Sequence, residues 1–154
     1  MMKWKIINFI ETTKHKAWLA WYILKTCRAL LWRATLHDLS KYSPEEAPYL
    51  EKVLPRLRNL EYGSDEYKEA IASLGPALKH HYFINSHHPE YWFSGIADMS
   101  LLDQMEMLCD WKAATRRHKT GNFGQSLKIN EERFKYSFRK TEQFHRDATE
   151  IGLL

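Results

Sequence analysis

The clearest pattern of apolar and polar positions lies in "LLDQMEMLCDWKAATRR", from Leu101 to Arg117. Apolar residues at 101, 102, 105, 108, 109 and 113 recur at helical spacing and predict one helix with a core-facing side. Ser100 and Asp103 supply its start signal, a cap with an acidic partner three residues on. "YGSDEYKEAIASLG" predicts a short helix from about Ser64 to Leu74, capped by Ser64 and stopped by Gly75. Pro76 then opens "PALKHHYFI". Upstream, no Gly or Pro interrupts Met1 to Ser43, so that segment is expected to be largely helical with one or two breaks.

"SPEE", residues 43–46, reads as a further helix start. Ser43 would be the cap, Pro44 the first helical residue, and Glu46 the closing member of a capping box. Its expected role is structural, with no part in chemistry. Pro48 and Pro55 limit that helix or split it. "NSHHPEYWFSG" reads as a loop, since Pro89 disfavours helix at His88 and Gly95 marks a turn. "HKTGNFGQS" is a second loop, and a charged last helix is expected from Asn130 to about residue 150. No stretch alternates with period two. The expected class is all-α, one domain over residues 1–154, built as a bundle of five to seven helices.

A chain of 154 residues can bury a core without disulfides, and six Trp, eight Tyr and seven Phe need a core or a cleft. The net charge of +4 suits anionic partners, though part of the excess follows Thr115. Cys27 and Cys109 lack a CxxC partner and read as buried thiols in a reducing compartment. "AWLAWYIL", Ala17 to Leu24, falls well short of the ~20 apolar residues of a membrane span. "MMKWKIINFIETTKHK" makes a poor signal peptide. A cytoplasmic protein without a membrane partner is expected. The segment "RRHKTGNFGQSLKIN" lacks the dense basic-aromatic alternation of a nucleic-acid module, so nucleic acid is not indicated as a partner.

The histidines change the picture. His15 stands alone, His37 precedes Asp38, and His80–His81 and His87–His88 form two pairs. Asp110 follows in the middle of the Leu101 helix, flanked by Cys109 and Trp111, which suggests a partly buried carboxylate in need of a partner. His118 and His145 sit in polar surroundings and are assigned nothing. Any one of these residues alone is more often structural; the order His…His-Asp…His…His-His…Asp carries the weight. Imidazole and carboxylate together suit Fe, Mn, Zn and similar divalent ions. Two such ions ~3.5–4 Å apart activate a water and clamp the oxygens of a phosphoryl group.

With these blocks, "HDLSK" at 37–41, "HHPE" at 87–90 and Asp110 in "LCDWKAA", the sequence resembles the HD-domain superfamily of metal-dependent phosphohydrolases over about residues 15–117. It is most similar to members with an extended two-metal ligand set, such as the cyclic-di-nucleotide phosphodiesterase branch. It also resembles a small family of bacteria and their phages with "HDLSK" and "HNSHHPE"-like blocks, whose function is not settled. The resemblance implies that His15, His37, Asp38 and Asp110 hold a first ion, that Asp38 bridges, and that His81, His87 and His88 hold a second. His80 is the alternative to His81, which is preferred because Asn85 follows it one turn later. Lys41 is implied beside the substrate phosphate or the bridging water, as a catalytic residue with Asp38. The "GYP" of the cyclic-di-nucleotide branch is absent, "EYWFSG" standing in its place.

Among phosphate-holding candidates Arg33, Asn85 and Arg117 are favoured, Arg117 standing two turns beyond Asp110. The implied activity is hydrolysis of a nucleotide or related phosphate ester with two divalent ions, Fe, Mn or another transition metal. The alternatives are a di-iron oxygenase and a metal-containing binding module.

Overall fold

The structure is a computed structural model that describes residues 2–61, 63–117 and 121–154. Its α-helices, in chain order, are α1 (Met2–Leu36), α2 (Ala47–Leu57), α3 (Asp65–Ala72), α4 (Pro76–Ile84), α5 (Leu101–Thr115), α6 (Phe123–Phe134) and α7 (Phe138–Glu150). Short 3-10 turns lie at Leu39–Tyr42, Pro89–Tyr91 and Gly95–Ala97. The described residues contain no strand, and the all-α class holds. No helix among them is long and apolar enough to cross a membrane.

The chain divides into two compact units, Met1–His37 and Asp38–Leu154. The first is α1, a single unbroken helix of 35 residues. The absence of Gly and Pro allows this length, and a break expected between Met1 and Ser43 falls at His37–Asp38, where α1 gives way to the turn Leu39–Tyr42.

The second unit has an apolar core of Ile96, Met99, Met107, Leu108, Trp111, Phe123, Leu127, Phe144 and Ala148. The Trp111 ring stacks on Phe134 at 5.9 Å and meets Phe144 edge-on at 6.4 Å. Helix α5 therefore buries Met107, Leu108, Trp111 and Thr115. The expected side included Leu101 and Cys109, which are exposed; the buried stripe is rotated because α6 and α7 pack against Trp111. Cys27 is exposed as well, so neither cysteine is the buried thiol expected.

Two start signals hold. Ser64 Oγ accepts from the Tyr67 amide, and Ser100 with Asp103 forms a full capping box. The expected last helix is two helices instead. Asn122 caps α6 by accepting from the Gln125 amide, and Lys135, at φ 49°, ends it. Ser137 then caps α7. The "SPEE" reading also needs correction. Residues 43–46 form a turn, α2 begins at Ala47, and neither Ser43 nor Glu46 caps it through a side chain. Pro48 and Pro55 lie inside α2 without splitting it, near its two ends where few amides are missed.

Candidate metal centre

Four side chains of the second unit converge: Asp38, His81, His87 and His88 each bring one donor atom within 4.8 Å of the others. Three segments deliver them. Asp38 precedes the turn Leu39–Tyr42, His81 sits in the last turn of α4, and His87–His88 lead into Pro89. Asp38 adopts φ 57° and ψ 21°, a left-handed conformation uncommon for a residue with a side chain. Such a conformation is kept only where the surroundings enforce it. Here Lys41 Nζ donates to Asp38 Oδ2, and the Lys41 amide donates to the Asp38 carbonyl at 2.9 Å. The carboxylate is thereby turned so that Oδ1 faces the imidazoles.

The distances are those of a coordination shell. His81 Nε2 and His87 Nε2 lie 3.3 and 3.4 Å from Asp38 Oδ1, and His88 Nε2 lies 2.9 Å from His81 Nε2. Two donors each ~2.1 Å from one ion stand about 3.0 Å apart at a right angle and about 3.4 Å apart at the tetrahedral angle. Three imidazole nitrogens and a carboxylate oxygen form a donor set that suits divalent Fe, Mn, Co, Ni or Zn. These residues fit such an ion.

The far side of each ring is fixed too. His81 Nδ1 donates to Glu46 Oε2 at 2.9 Å, and His80 Nδ1 donates to Glu46 Oε1 at 2.9 Å. His87 Nδ1 faces Glu106 Oε1 at 3.3 Å. An ionised carboxylate only accepts, so each contact places the proton on Nδ1 and leaves the Nε2 lone pair toward the cluster. Carboxylates behind histidines do the same in metal centres, orienting the ring and raising its basicity. Glu46 is 1% exposed, which makes it the most deeply buried acid of the group. Burial, with the charge His87 and His81 would add, pushes His88 down to about 3, so its ring is neutral and its lone pair available.

The His88 segment is anchored from several directions. Ser86 Oγ donates to Asp103 Oδ1 at 2.7 Å, and Trp92 Nε1 donates to the Ser86 carbonyl at 2.7 Å. Arg133 of α6 donates to Tyr82 Oη at 2.8 Å and to Glu90 Oε1. The Tyr82 ring in turn lies 4.9 Å from that of His88. Asn85 ends α4, donating to Ser40 Oγ at 2.9 Å and to the His81 carbonyl at 2.8 Å. It braces the ligand helix.

The other candidates fall elsewhere. His80 points its Nδ1 at Glu46 and is outside the converging four, so of the pair it is His81 that joins them. Asp110 places a carboxylate oxygen within 4.8 Å of a His87 ring nitrogen and is half-buried, as its flanks suggest. Arg117 is exposed just beyond α5. His15, His37 and Arg33 belong to the first unit. His37 stands just past the end of the continuous α1, and the 21 positions from His15 to Leu36 alone give about 32 Å of rise. Two histidines of one chain so spaced cannot share an ion. His145 lies on α7, and His118 lies outside the described residues.

Sequence reading missed Glu46 and Glu106. Glu46 stands in "SPEE", where a helix-start pattern explained it fully. Glu106 lies in the Leu101 helix four residues before Asp110, a spacing that puts both on one face and was a usable signal.

No curated protein and no solved structure matches the chain significantly. A family model does match, over residues 5–151, nearly the whole length including every residue of the cluster. The chain belongs to this family, DUF5662, a family of unknown function.

Proposed function

We propose that the chain is a metal-dependent phosphohydrolase acting on a nucleotide or a related phosphomonoester or phosphodiester. The observation that supports it is the convergence of Asp38 Oδ1 with the Nε2 atoms of His81, His87 and His88 at the spacing of one coordination shell. A divalent ion held there supplies a Lewis acid for a phosphoryl oxygen and brings a water into the range of a nucleophile at neutral pH.

The chain's own residues account for the rest. Asp38 contributes negative charge through one oxygen while Lys41 occupies the other. Glu46 and Glu106 hold His81 and His87 in the tautomer that binds a cation. Asp110 adds an oxygen donor beside His87, where a second ion would need one. Lys41, about one-third exposed, pairs with Asp38, and its ammonium would attract an anionic phosphate. The reaction class follows the resemblance of the "HDLSK" and "HHPE" blocks, since ligands alone do not fix chemistry.

The test is a hydrolysis panel on the full chain with Mn, Fe, Co or Ni supplied. It covers nucleoside mono-, di- and triphosphates, cyclic dinucleotides and a generic aryl phosphodiester. Hydrolysis of at least one, lost in Asp38→Ala, supports the proposal. Metal bound without hydrolysis of any of them counts against it, and oxygen consumption by the iron form would replace it with oxygenase chemistry.

A further inference from the structure

The three imidazoles of the centre are not held alike. His81 and His87 each present Nδ1 to a carboxylate, Glu46 Oε2 at 2.9 Å and Glu106 Oε1 at 3.3 Å. A carboxylate behind a ring fixes both its tautomer and its direction. His88 lacks one. Among the described residues its side chain has a single hydrogen-bond partner, His81 Nε2 at 2.9 Å, on the edge that faces the cluster. Its backbone is pinned, the amide donating to the Asn85 carbonyl and the carbonyl accepting from the Tyr91 amide, both at 3.1 Å. Neither bond sets the torsions of the ring.

Neighbouring rings set them instead. Those of His87 and His81 stand 4.2 and 4.7 Å from that of His88. Tyr82, at 4.9 Å and tilted by 55°, is the neighbour that is not itself a ligand. Tyr82 is tied in turn, because its Oη accepts from Arg133 Nη2 at 2.8 Å. The same nitrogen donates to Glu90 Oε1, two residues beyond His88. One guanidinium nitrogen, with a hydrogen for each acceptor, thus joins the ring beside His88 to the turn that follows it. Arg133 comes from the last turn of α6, 51 and 43 residues away in sequence from these two partners. Its base is fixed by the apolar core: α6 buries Leu127, and the next residue, Phe134, stacks on Trp111 at 5.9 Å. The guanidinium also lies 4.7 Å from the Phe134 ring centre and 5.8 Å from that of Tyr82, which narrows its swing. A surface ion pair alone contributes little to stability. This one is distinguished by where its two acceptors stand, on either side of one ligand in the chain.

We infer that Arg133 is a positioning residue of the metal centre: through Tyr82 and Glu90 it keeps His88, the one imidazole with no carboxylate behind it, in place as the third nitrogen ligand. The role rests on Asp38, His81, His87 and His88 being a cation site. It makes His88 the ligand that leaves first when the clamp opens, yielding its position to water or to a substrate oxygen. It also gives α6 a hold on the ion without a ligand of its own.

The test is proton NMR of the full chain with one equivalent of Co(II). Protons of imidazoles bound to cobalt shift far outside the ordinary range, so they count the ligating rings. Arg133→Met keeps an apolar stem over Phe134 and removes the donors. Tyr82→Phe combined with Glu90→Ala removes the acceptors and leaves Arg133 itself intact, which separates positioning from packing. Thermal unfolding without metal checks that each variant is folded. The wild type is expected to show all three rings bound, as is Arg133→Lys, which places an ammonium near the same point. Arg133→Met and the double variant are each expected to lose the third ring's signals, matching His88→Ala, with cobalt affinity about tenfold lower. Three bound rings in the wild type that both variants leave unchanged would overturn the positioning role and leave the cation site standing. Cobalt bound by the wild type without the His88 ring would do the same. A wild type that binds no cobalt would overturn both.

Discussion

Around Trp111 and Phe144 the buried groups are aromatic rings, methionines and aliphatic side chains; around Asp38 they are imidazoles and carboxylates. Both regions lie in the same unit, and the Arg133 contacts of α6 and the Ser86–Asp103 bond tie one to the other. The apolar region stabilises the fold by being buried, at roughly 25 cal/mol per Å² removed from water. The polar region does the reverse. Packing Asp38, Glu46, His81 and His87 out of solvent costs free energy unless each finds a strong partner, and Asp38 holds a left-handed backbone as well. One region exists because it folds the chain, the other because the fold supports it.

That difference can be broken by substitution. The largest stability effect is expected in the apolar region: Phe144→Ala should cost about 3–5 kcal/mol in denaturant unfolding, while metal bound per folded chain stays unchanged. A loss of metal in step with the loss of stability would erase the distinction. Next comes Glu46→Gln, which keeps the volume but frees His81 from its charged acceptor. Metal affinity should fall about 10–100-fold by calorimetric titration, with thermal stability changed far less. Glu106→Gln should act in the same direction and more weakly, because its contact to His87 is longer, 3.3 Å against 2.9 Å. Ser100→Ala should lower stability by about 1 kcal/mol through the lost helix cap and leave metal titration nearly as it was. The smallest effect on metal is expected from His80→Ala, whose ring lies outside the converging four.

Much of this fold was legible from local chemistry. Ser64, Pro76, Ser100 and Asp103 mark helix starts through short-range hydrogen bonds and fixed φ, so they read correctly without tertiary knowledge. Lys135 did not, because a non-glycine residue in the left-handed region leaves no compositional trace, and α6 and α7 were merged around it. The exposed Leu101 and Cys109 show the same limit, since the partners packed on α5 decide which side is buried. At the site, His81, His87, His88 and Asp38 were marked by clustering of ligand chemistry. Glu46 was hidden because one residue satisfied a local pattern while doing a distant job, 34 and 35 residues from the histidines it holds.

The central claim is that the polar region is a cation site. The direct measurement is metal binding by the full chain, stripped and then titrated with Mn, Fe, Co, Ni and Zn, beside His81→Ala and His80→Ala. The account predicts at least one equivalent bound by the wild type and by His80→Ala, and binding lost in His81→Ala. A wild type that folds but binds none of these ions, or a His81→Ala variant that binds as tightly as the wild type, would contradict it.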